Sequence, residues 1–248
     1  MDIADNLALV RSRISAAAEK AGRRSEDILL VGATKMNDAS RVREAIAAGL
    51  TVCGENRVQE LLEKDALGAY EGAALHFIGH LQKNKVRYLV GRCSLIHSID
   101  SMELLRAVDH CAVSRGVVQD VLIEVNIAGE ESKSGLAPSE LSDFLSAAGD
   151  FPGIRVRGLM AIPPICRVGE ENLPYFRAME QLFVDNGGKK YDNVLMDFLS
   201  MGMSGDFEAA IACGANIVRV GTALFGERDY TSAHHQQTAM EDSHGHLR

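Results

Sequence analysis

Three features of the sequence predict an α/β fold, a (β/α)8 TIM barrel with an extra helix at its N-terminus. Short apolar runs alternate with helical stretches along most of the chain, and this order is typical of parallel strands joined by helices. Most runs are almost continuously apolar, as expected for strands buried on both faces. Eight such units lie within about 200 residues, which favours a closed barrel. The alternative, a doubly wound open sheet, often has a GxGxxG loop after its first strand, and none follows the first run here.

The elements follow one another in a regular order. The first is a helix over 5–21, where apolar residues recur at helical spacing until Gly22. The strands that follow are the short runs richest in aliphatic side chains. They are ILLVGAT (28–34), TVCGE (51–55), LHFIG (75–79), SLIHSI (94–99), VLIEVNI (121–127), IRVRGLMAI (154–162), VLMDFLSM (194–201) and NIVRVGT (216–222). The connecting helices are predicted at 39–48, 58–66, 82–90, 102–114, 138–148, 173–186 and 206–213.

Length and composition limit the classes of function. The chain has 248 residues, and we expect one domain over 1–228 followed by a disordered polar tail over 229–248. A formal net charge of −8 argues against nucleic-acid binding. No apolar run is long enough for a membrane helix, and the first residues do not resemble a signal peptide. The five cysteines are scattered, without the spacing of a metal site, and are typical of a protein of the reducing cytoplasm. The sequence has no heptad pattern that would indicate an oligomer. We therefore expect a cytoplasmic monomer without a metal site.

Lys35 is the most informative candidate residue, because it follows the apolar run ILLVGAT. In barrels of this class the active site lies at the C-terminal ends of the strands. Side chains alternate along a strand, so Lys35 shares a face with Val31 and Ala33. Apolar surroundings lower the pKa of a lysine and make its amine a nucleophile. The alternative is a lysine that only extends from the rim of the barrel into water.

The loops after the seventh and eighth strands predict a phosphate site. The segment SMGMSG contains Ser200 and Gly202, and VGTALFG contains Gly221 and Thr222 at the start of a short helical turn. Hydroxyl groups, glycines and backbone N–H groups at these strand ends commonly bind phosphate in such barrels. Arg219 shares a face with Gly221, so both are expected in the same site. The alternative for either loop alone is an ordinary tight turn with a helix cap.

A reactive lysine and a phosphate site in one barrel mouth indicate pyridoxal 5′-phosphate (PLP), held as a Schiff base on Lys35. The same parts would also suit an aldolase that forms its Schiff base with a sugar phosphate.

Several segments, in order and at consistent spacing, also resemble one protein family. They are LLVGATK, CGENRVQELLEK, LHFIGHLQKNK, IHSIDS, VLIEVNIAGEESKSGL, VRGLMAIPP, LSMGMSGDFEAAI and VRVGTALFG. From Ile28 to Gly226 the chain resembles the pyridoxal phosphate homeostasis proteins, also called proline synthetase co-transcribed homologues. It departs from the pattern at Thr34, where many members have serine before the lysine.

The resemblance implies a barrel like the N-terminal domain of alanine racemase, with PLP on Lys35. It implies that Asn56 lies near the cofactor ring, that Arg219 lies by the pyridine nitrogen or the phosphate, and that His80 lines the same mouth. The residues that it implies for the phosphate are Ser200, Gly202, Gly221 and Thr222. Proteins of this family bind and supply the cofactor without an established reaction, which implies transient contact with PLP-dependent apoenzymes.

The tyrosines and Arg219 also indicate whether the protein is an enzyme. A racemase needs two bases, and alanine racemase-like enzymes take the second, a tyrosine, from a β-rich domain. The five tyrosines of this chain are predicted on helices, connections or the tail, away from the strand ends. An arginine at the pyridine nitrogen would also make the ring a weak electron sink. We therefore expect a non-catalytic protein of intracellular PLP homeostasis, and the alternative is a PLP-dependent racemase or decarboxylase of unknown substrate.

Overall fold

The structure is a computed structural model, and it describes residues 2–130, 132–166, 168–189 and 191–226. Eight parallel strands in these ranges form a closed barrel in which each strand pairs with the next and β8 pairs with β1. They are β1 (Leu29–Ala33), β2 (Val52–Glu55), β3 (Ala74–Phe77), β4 (Leu95–Ile99), β5 (Gln119–Glu124), β6 (Ile154–Met160), β7 (Val194–Ser200) and β8 (Ile217–Val220). The predicted barrel is confirmed.

Helices surround the barrel. They are α1 (Ile3–Lys20), α2 (Ala39–Ala47), α3 (Val58–Ala66), α4 (Val86–Leu89), α5 (Met102–Ser114), α6 (Leu141–Ala148), α7 (Leu173–Gly187), α8 (Phe207–Ala212) and α9 (Thr222–Phe225). Short 3-10 helices lie at Ser25–Asp27, Lys83–Lys85, Pro138–Glu140 and Gly169–Asn172.

The extra N-terminal helix, α1, is present and packs against α8 and α9. Its side chains at 3, 7, 10, 14 and 18 are buried, which is the spacing of one helix face. The Asp2 carboxylate accepts the Asp5 N–H at 2.7 Å and so caps the first turn. Each fully buried aliphatic side chain such as Leu7 contributes roughly 1.5–3 kcal/mol to holding the helix in place.

Some predicted boundaries were wrong. The predicted helix over 82–90 is divided into the 3-10 helix Lys83–Lys85 and α4. The last predicted strand ends at Val220, because Thr222 already begins α9. The fifth strand ends at Glu124 rather than 127, because the backbone N–H of Asn126 donates to the Leu136 carbonyl at 2.9 Å, in the loop that follows, and not to β6.

The core has two layers. A large cluster lies between the sheet and the helices, and a smaller one fills the barrel interior. The interior cluster is formed by Val31, Ala33, Val52, Ile78, Leu95, Leu122, Met160 and Ile217. Val31 and Ala33 therefore face inward, as the alternation along the first strand predicts.

Gly158 changes the register between β6 and β7. Val156 pairs with Val194, whereas Gly158 pairs with Phe198, so the strands shift past each other between these pairs. Gly158 has a φ of 143°, and a Cβ there would lie 1.9 Å from the Phe198 carbonyl oxygen. Beyond this point Met160 pairs with Ser200, which sets the height of Ser200 in the barrel.

The predicted tail over 229–248 and the predicted domain end at 228 lie outside the described residues. In the ranges that the structure covers, no helix combines the length and hydropathy needed to cross a bilayer.

Candidate functional site at the mouth of the barrel

Lys35 lies just beyond the end of β1, in the turn that leads to α2, and is half-buried. β1 lies between β2 and β8 in the barrel. Its Val31 pairs with Arg219, so the loop after β8 runs beside the end of β1. A Cβ placed on Gly221 would lie 3.5 Å from the Ala33 Cβ, an ordinary contact distance. Lys35 therefore emerges next to the loop that contains Gly221, at the C-terminal ends of the strands that we call the mouth.

A chain of hydrogen bonds crosses the barrel interior. Arg219 donates from Nη1 to Ser200 Oγ at 2.6 Å and from Nη2 to the Ala161 carbonyl at 2.9 Å. Ser200 Oγ lies 3.0 Å from His97 Nδ1, and His97 Nε2 lies 3.0 Å from His76 Nδ1. All four side chains are almost completely buried. This series of hydrogen bonds fixes the Arg219 guanidinium on the inner face of β8.

Burial determines which of these hydrogen-bonded side chains are charged. It lowers the pKa of His76 to about 4 and that of His97 well below its ordinary range, so both imidazoles are neutral at pH 7. Burial also lowers the pKa of Arg219 to about 10, against the opposing effect of Glu124, and the guanidinium stays charged. The pKa of Glu124 is raised to about 7, first by burial and then by Asp100. The barrel interior thus holds a cation, two neutral rings and a carboxyl group that titrates near neutrality.

The neutral histidines should make stability depend on pH. An unfolded chain protonates His76 below about 6.5, whereas the folded chain resists protonation until about 4. The unfolded state therefore binds more protons in this window, and the free energy of unfolding should fall as the pH falls from 6.5 towards 4. We expect His76→Asn to make this slope shallower by up to about 1.4 kcal/mol per pH unit. Denaturant unfolding of both proteins between pH 7 and 4.5 measures the difference, and parallel profiles would contradict it.

The loops after β7 and β8 are joined by Ser204. Its Oγ accepts the backbone N–H groups of Gly221 at 3.2 Å and Ala223 at 3.3 Å. Ser204 is not the N-cap of α8, which is Asp206. Gly202 is buried with a φ of 92°, and its carbonyl accepts the Arg219 N–H at 3.0 Å. Thr222 is exposed at the first position of α9.

Asn56 follows β2 and lies against the loop after β3. A Cβ on Gly79 would come within 2.2 Å of the Asn56 carbonyl oxygen, so only glycine allows this approach. Asn56 Oδ1 is buried and has no hydrogen-bond partner among the described residues. A buried amide oxygen in that state is available to accept a hydrogen bond from water or from a ligand.

His80 lies apart from the hydrogen-bonded residues around Arg219 and has other neighbours. Its Nδ1 lies 3.0 Å from Ser134 Oγ and 3.3 Å from an Asp100 carboxylate oxygen, and its side chain is 58% exposed. These contacts connect the loops after β3, β4 and β5. His80 thus lies on the rim, on the β3–β5 side of the mouth.

The structure brings some of the candidate residues into direct contact, but not all of them. Ser200, Gly202 and Arg219 are in direct contact, and Gly221 lies beside the end of β1. His80 makes no contact of this kind with them. Sequence reasoning missed His76 and Glu124 and gave His97 no place in the site. Each is a polar residue inside an otherwise apolar run, and this signal could have identified them.

Comparisons with known proteins identify the family of this chain. The family model described as "Alanine racemase, N-terminal domain" matches residues 6–229. A "Pyridoxal phosphate homeostasis protein" of Aquifex aeolicus is 46% identical over 231 residues, which cover 93% of this chain and 100% of that protein. The protein of that name from Escherichia coli K12 is 42% identical over 234 residues, covering 93% of this chain and 98% of that protein.

A solved structure of PipY from Synechococcus elongatus PCC7942, described as having PLP bound, is 32% identical with a TM-score of 0.79. The match covers 91% of this chain and all of PipY. Family model, relatives and fold agree over nearly the same residues. The chain therefore belongs to the pyridoxal phosphate homeostasis proteins, a family built on the alanine racemase N-terminal domain fold.

Proposed function

We propose that the mouth of the barrel binds PLP as a Schiff base on Lys35 and that the protein takes part in intracellular PLP homeostasis. The observation that carries the proposal is the position of Lys35, beyond β1 and beside the loop that contains Gly221. Lys35 would hold the cofactor through a C=N bond, in which its neutral amine takes the place of the aldehyde oxygen and that oxygen is released as water.

The residues at the mouth fit this group. Asn56 Oδ1 is a buried acceptor that lacks a partner among the described residues. The N–H groups of Gly221 and Ala223 converge on one oxygen atom, that of Ser204, which is the arrangement that a phosphate oxygen would require. The residues proposed for the phosphate remain Ser200, Gly202, Gly221 and Thr222, and Ser204 joins them on this ground.

The charge of Arg219 supports the proposal that the cofactor is bound but is a weak electron sink. When bound, PLP supplies an aldehyde and a ring that withdraws electrons most strongly when its nitrogen is protonated. Arg219 is fixed by Ser200 and Ala161 and stays cationic at neutral pH. A cation beside the ring nitrogen opposes its protonation, whereas a carboxylate would favour it.

The tyrosines also support a carrier rather than a racemase. Tyr70 reaches the end of β2, where its OH lies 3.1 Å from Glu55 Oε1, but on the outer face of the sheet. Tyr88 lies on α4 and contacts Arg87, Tyr175 lies on α7, and Tyr191 precedes β7. In the described part of the chain no tyrosine is placed to act as a second base in the mouth. Transient contact with PLP-dependent apoenzymes, a monomeric state and a cytoplasmic location remain predictions.

The test is an absorbance spectrum of the purified protein with PLP, before and after borohydride, combined with peptide mapping. We expect the wild-type chain to absorb in the visible range, to lose this absorbance on reduction, and to carry the reduced adduct on Lys35. Lys35→Ala should lose the adduct completely. Lys20→Ala, which removes an exposed lysine at the end of α1, should behave as wild type.

Two results would overturn the proposal. One is an adduct that maps to another lysine in the wild-type protein. The other is a wild-type adduct that forms only with a sugar phosphate, which would indicate an aldolase. Incubation of the PLP-loaded protein with amino acids in D₂O tests the non-catalytic part, and we expect no Lys35-dependent exchange of the α-hydrogen.

A further inference from the structure

The turn that carries Lys35 has an unusual backbone. Met36 has a φ of 61°, in the left-handed region that residues other than glycine seldom adopt. The residue is 54% exposed, so packing of its side chain does not explain the conformation. Another part of the molecule must stabilise the turn.

An ionic cluster on the outer face of the sheet, buried except at Glu60, binds the turn on both sides of Lys35. We call it the Glu55 cluster; it consists of Glu55, Glu60, Lys64 and Tyr70. Glu60 Oε1 accepts the Met36 N–H at 2.5 Å and the Lys64 ammonium at 2.6 Å. Lys64 also donates to the Thr34 carbonyl at 2.7 Å. The peptide groups before and after Lys35 are thus both bonded to the same ion pair.

The rest of the cluster makes this support rigid. Lys64 Nζ lies 2.7 Å from Glu55 Oε1, and Glu55 is completely buried. The Thr34 hydroxyl donates to the same carboxylate oxygen at 2.6 Å, a bond that serine could also make. The Asn37 side chain donates to the Lys35 carbonyl at 3.1 Å. Backbone groups on each side of the lysine are therefore fixed by side chains from β2, α3 and the turn itself.

We infer that Glu60 and Lys64 are positioning residues for Lys35: they hold the Thr34–Met36 turn in its left-handed conformation, so that the lysine is presented for attachment of an aldehyde ligand. This inference rests on the proposed attachment of PLP to Lys35. The competing interpretation is that the cluster only stabilises the packing of α3 on the sheet. That interpretation predicts lower thermal stability with unchanged reactivity of Lys35.

The experiment compares the rate constant of PLP attachment to Lys35, measured by borohydride trapping and peptide mapping. We expect Glu60→Ala to react about tenfold more slowly, because small displacements of a reacting group are costly. Glu60→Gln retains an oxygen acceptor for the Met36 N–H and should recover most of the rate. Glu63→Ala is the matched control, because Glu63 lies on the same helix, is exposed, and bonds to Gln59 rather than to the turn.

Two further measurements separate positioning from general stability. In the protein without PLP, Glu60→Ala should remove the hydrogen-exchange protection of the Met36 amide. Met36→Gly in the Glu60→Ala background should restore much of the rate, because glycine adopts this φ without strain. A loss of packing alone would not be repaired by a change at this exposed position.

The outcomes are distinct. If wild type is not labelled at Lys35, the proposed function fails. If wild type is labelled but Glu60→Ala reacts at the same rate, only the positioning role is overturned. If Glu60→Ala fails to fold, the rate of PLP attachment in Met36→Val tests the positioning role instead. This variant leaves the Glu55 cluster intact and disfavours a positive φ at position 36. A slower rate in Met36→Val supports the inference, and an unchanged rate overturns it.

Discussion

Replacing Lys64 with methionine is expected to lower the free energy of unfolding by about 3–5 kcal/mol. Lys64 is 5% exposed and forms the ion pair with Glu55, which is completely buried. Methionine fills a similar volume but leaves the Glu55 carboxylate without its counter-charge. Denaturant unfolding of the wild type and the variant at pH 7 measures the loss.

The dependence of this loss on pH provides a second test. Burial raises the pKa of Glu55, and Lys64 opposes that increase. Without Lys64 the carboxylate should take up a proton more readily, so the loss should become smaller as the pH falls. The double variant with Glu55→Gln should recover part of the stability, because it removes the unpaired charge.

An exposed ion pair on the same protein is the control. Lys83 and Glu103 are 2.6 Å apart, with side chains 61% and 73% exposed. Lys83→Met should therefore lower the free energy of unfolding far less than Lys64→Met does. A Lys64→Met loss as small as this would mean that water reaches the Glu55 cluster in solution.

Replacing Gly158 with alanine is expected to destabilise the barrel by about 3 kcal/mol or more. The backbone there has a φ of 143°, and an added Cβ would meet the Phe198 carbonyl oxygen at 1.9 Å. The neighbouring strand must move to relieve this contact, and the register beyond it pairs Met160 with Ser200. We therefore also expect weaker PLP binding, because Ser200 is bonded to Arg219.

Gly116→Ala is a control for a positive φ without a steric clash. Gly116 has a φ of 65°, and no atom lies within 4 Å of the Cβ it would acquire. Its substitution should cost only the left-handed conformation, about 1–2 kcal/mol. The difference between the two variants measures the clash in the sheet together with the greater conformational cost of a φ of 143°. Equal losses would show that β7 accommodates a methyl group at position 158.

Most of the barrel could be predicted from local patterns. Alternating runs predicted eight strands in the correct order, and alternation along the first strand predicted that Val31 and Ala33 face inward. These features depend on residues near one another in the chain. Boundaries failed where contacts outside the apolar run decided them, as at Asn126, whose backbone N–H donates to the Leu136 carbonyl in the loop after β5.

The site could be predicted only in part. The segments around Lys35, Ser200 and Gly221 indicated a lysine and a phosphate site at one end of the barrel, because the ends of parallel strands meet there. Their roles in binding PLP remain proposals. No local pattern indicated that His97 would contact Ser200, which is 103 positions away.

The sequence by itself determined the number and order of the strands, the inward-facing side of the first strand, and that Lys35 follows that strand. Only the tertiary structure decided which polar groups meet inside and outside the barrel wall. The bonds of Ser200 to His97 and Arg219 depend on closure of the barrel and on the shift at Gly158. The bonds of Lys64 to the Lys35 turn depend on how α3 packs. Such contacts are set by register and packing, which all strands and helices determine jointly, and not by periodicity within one element.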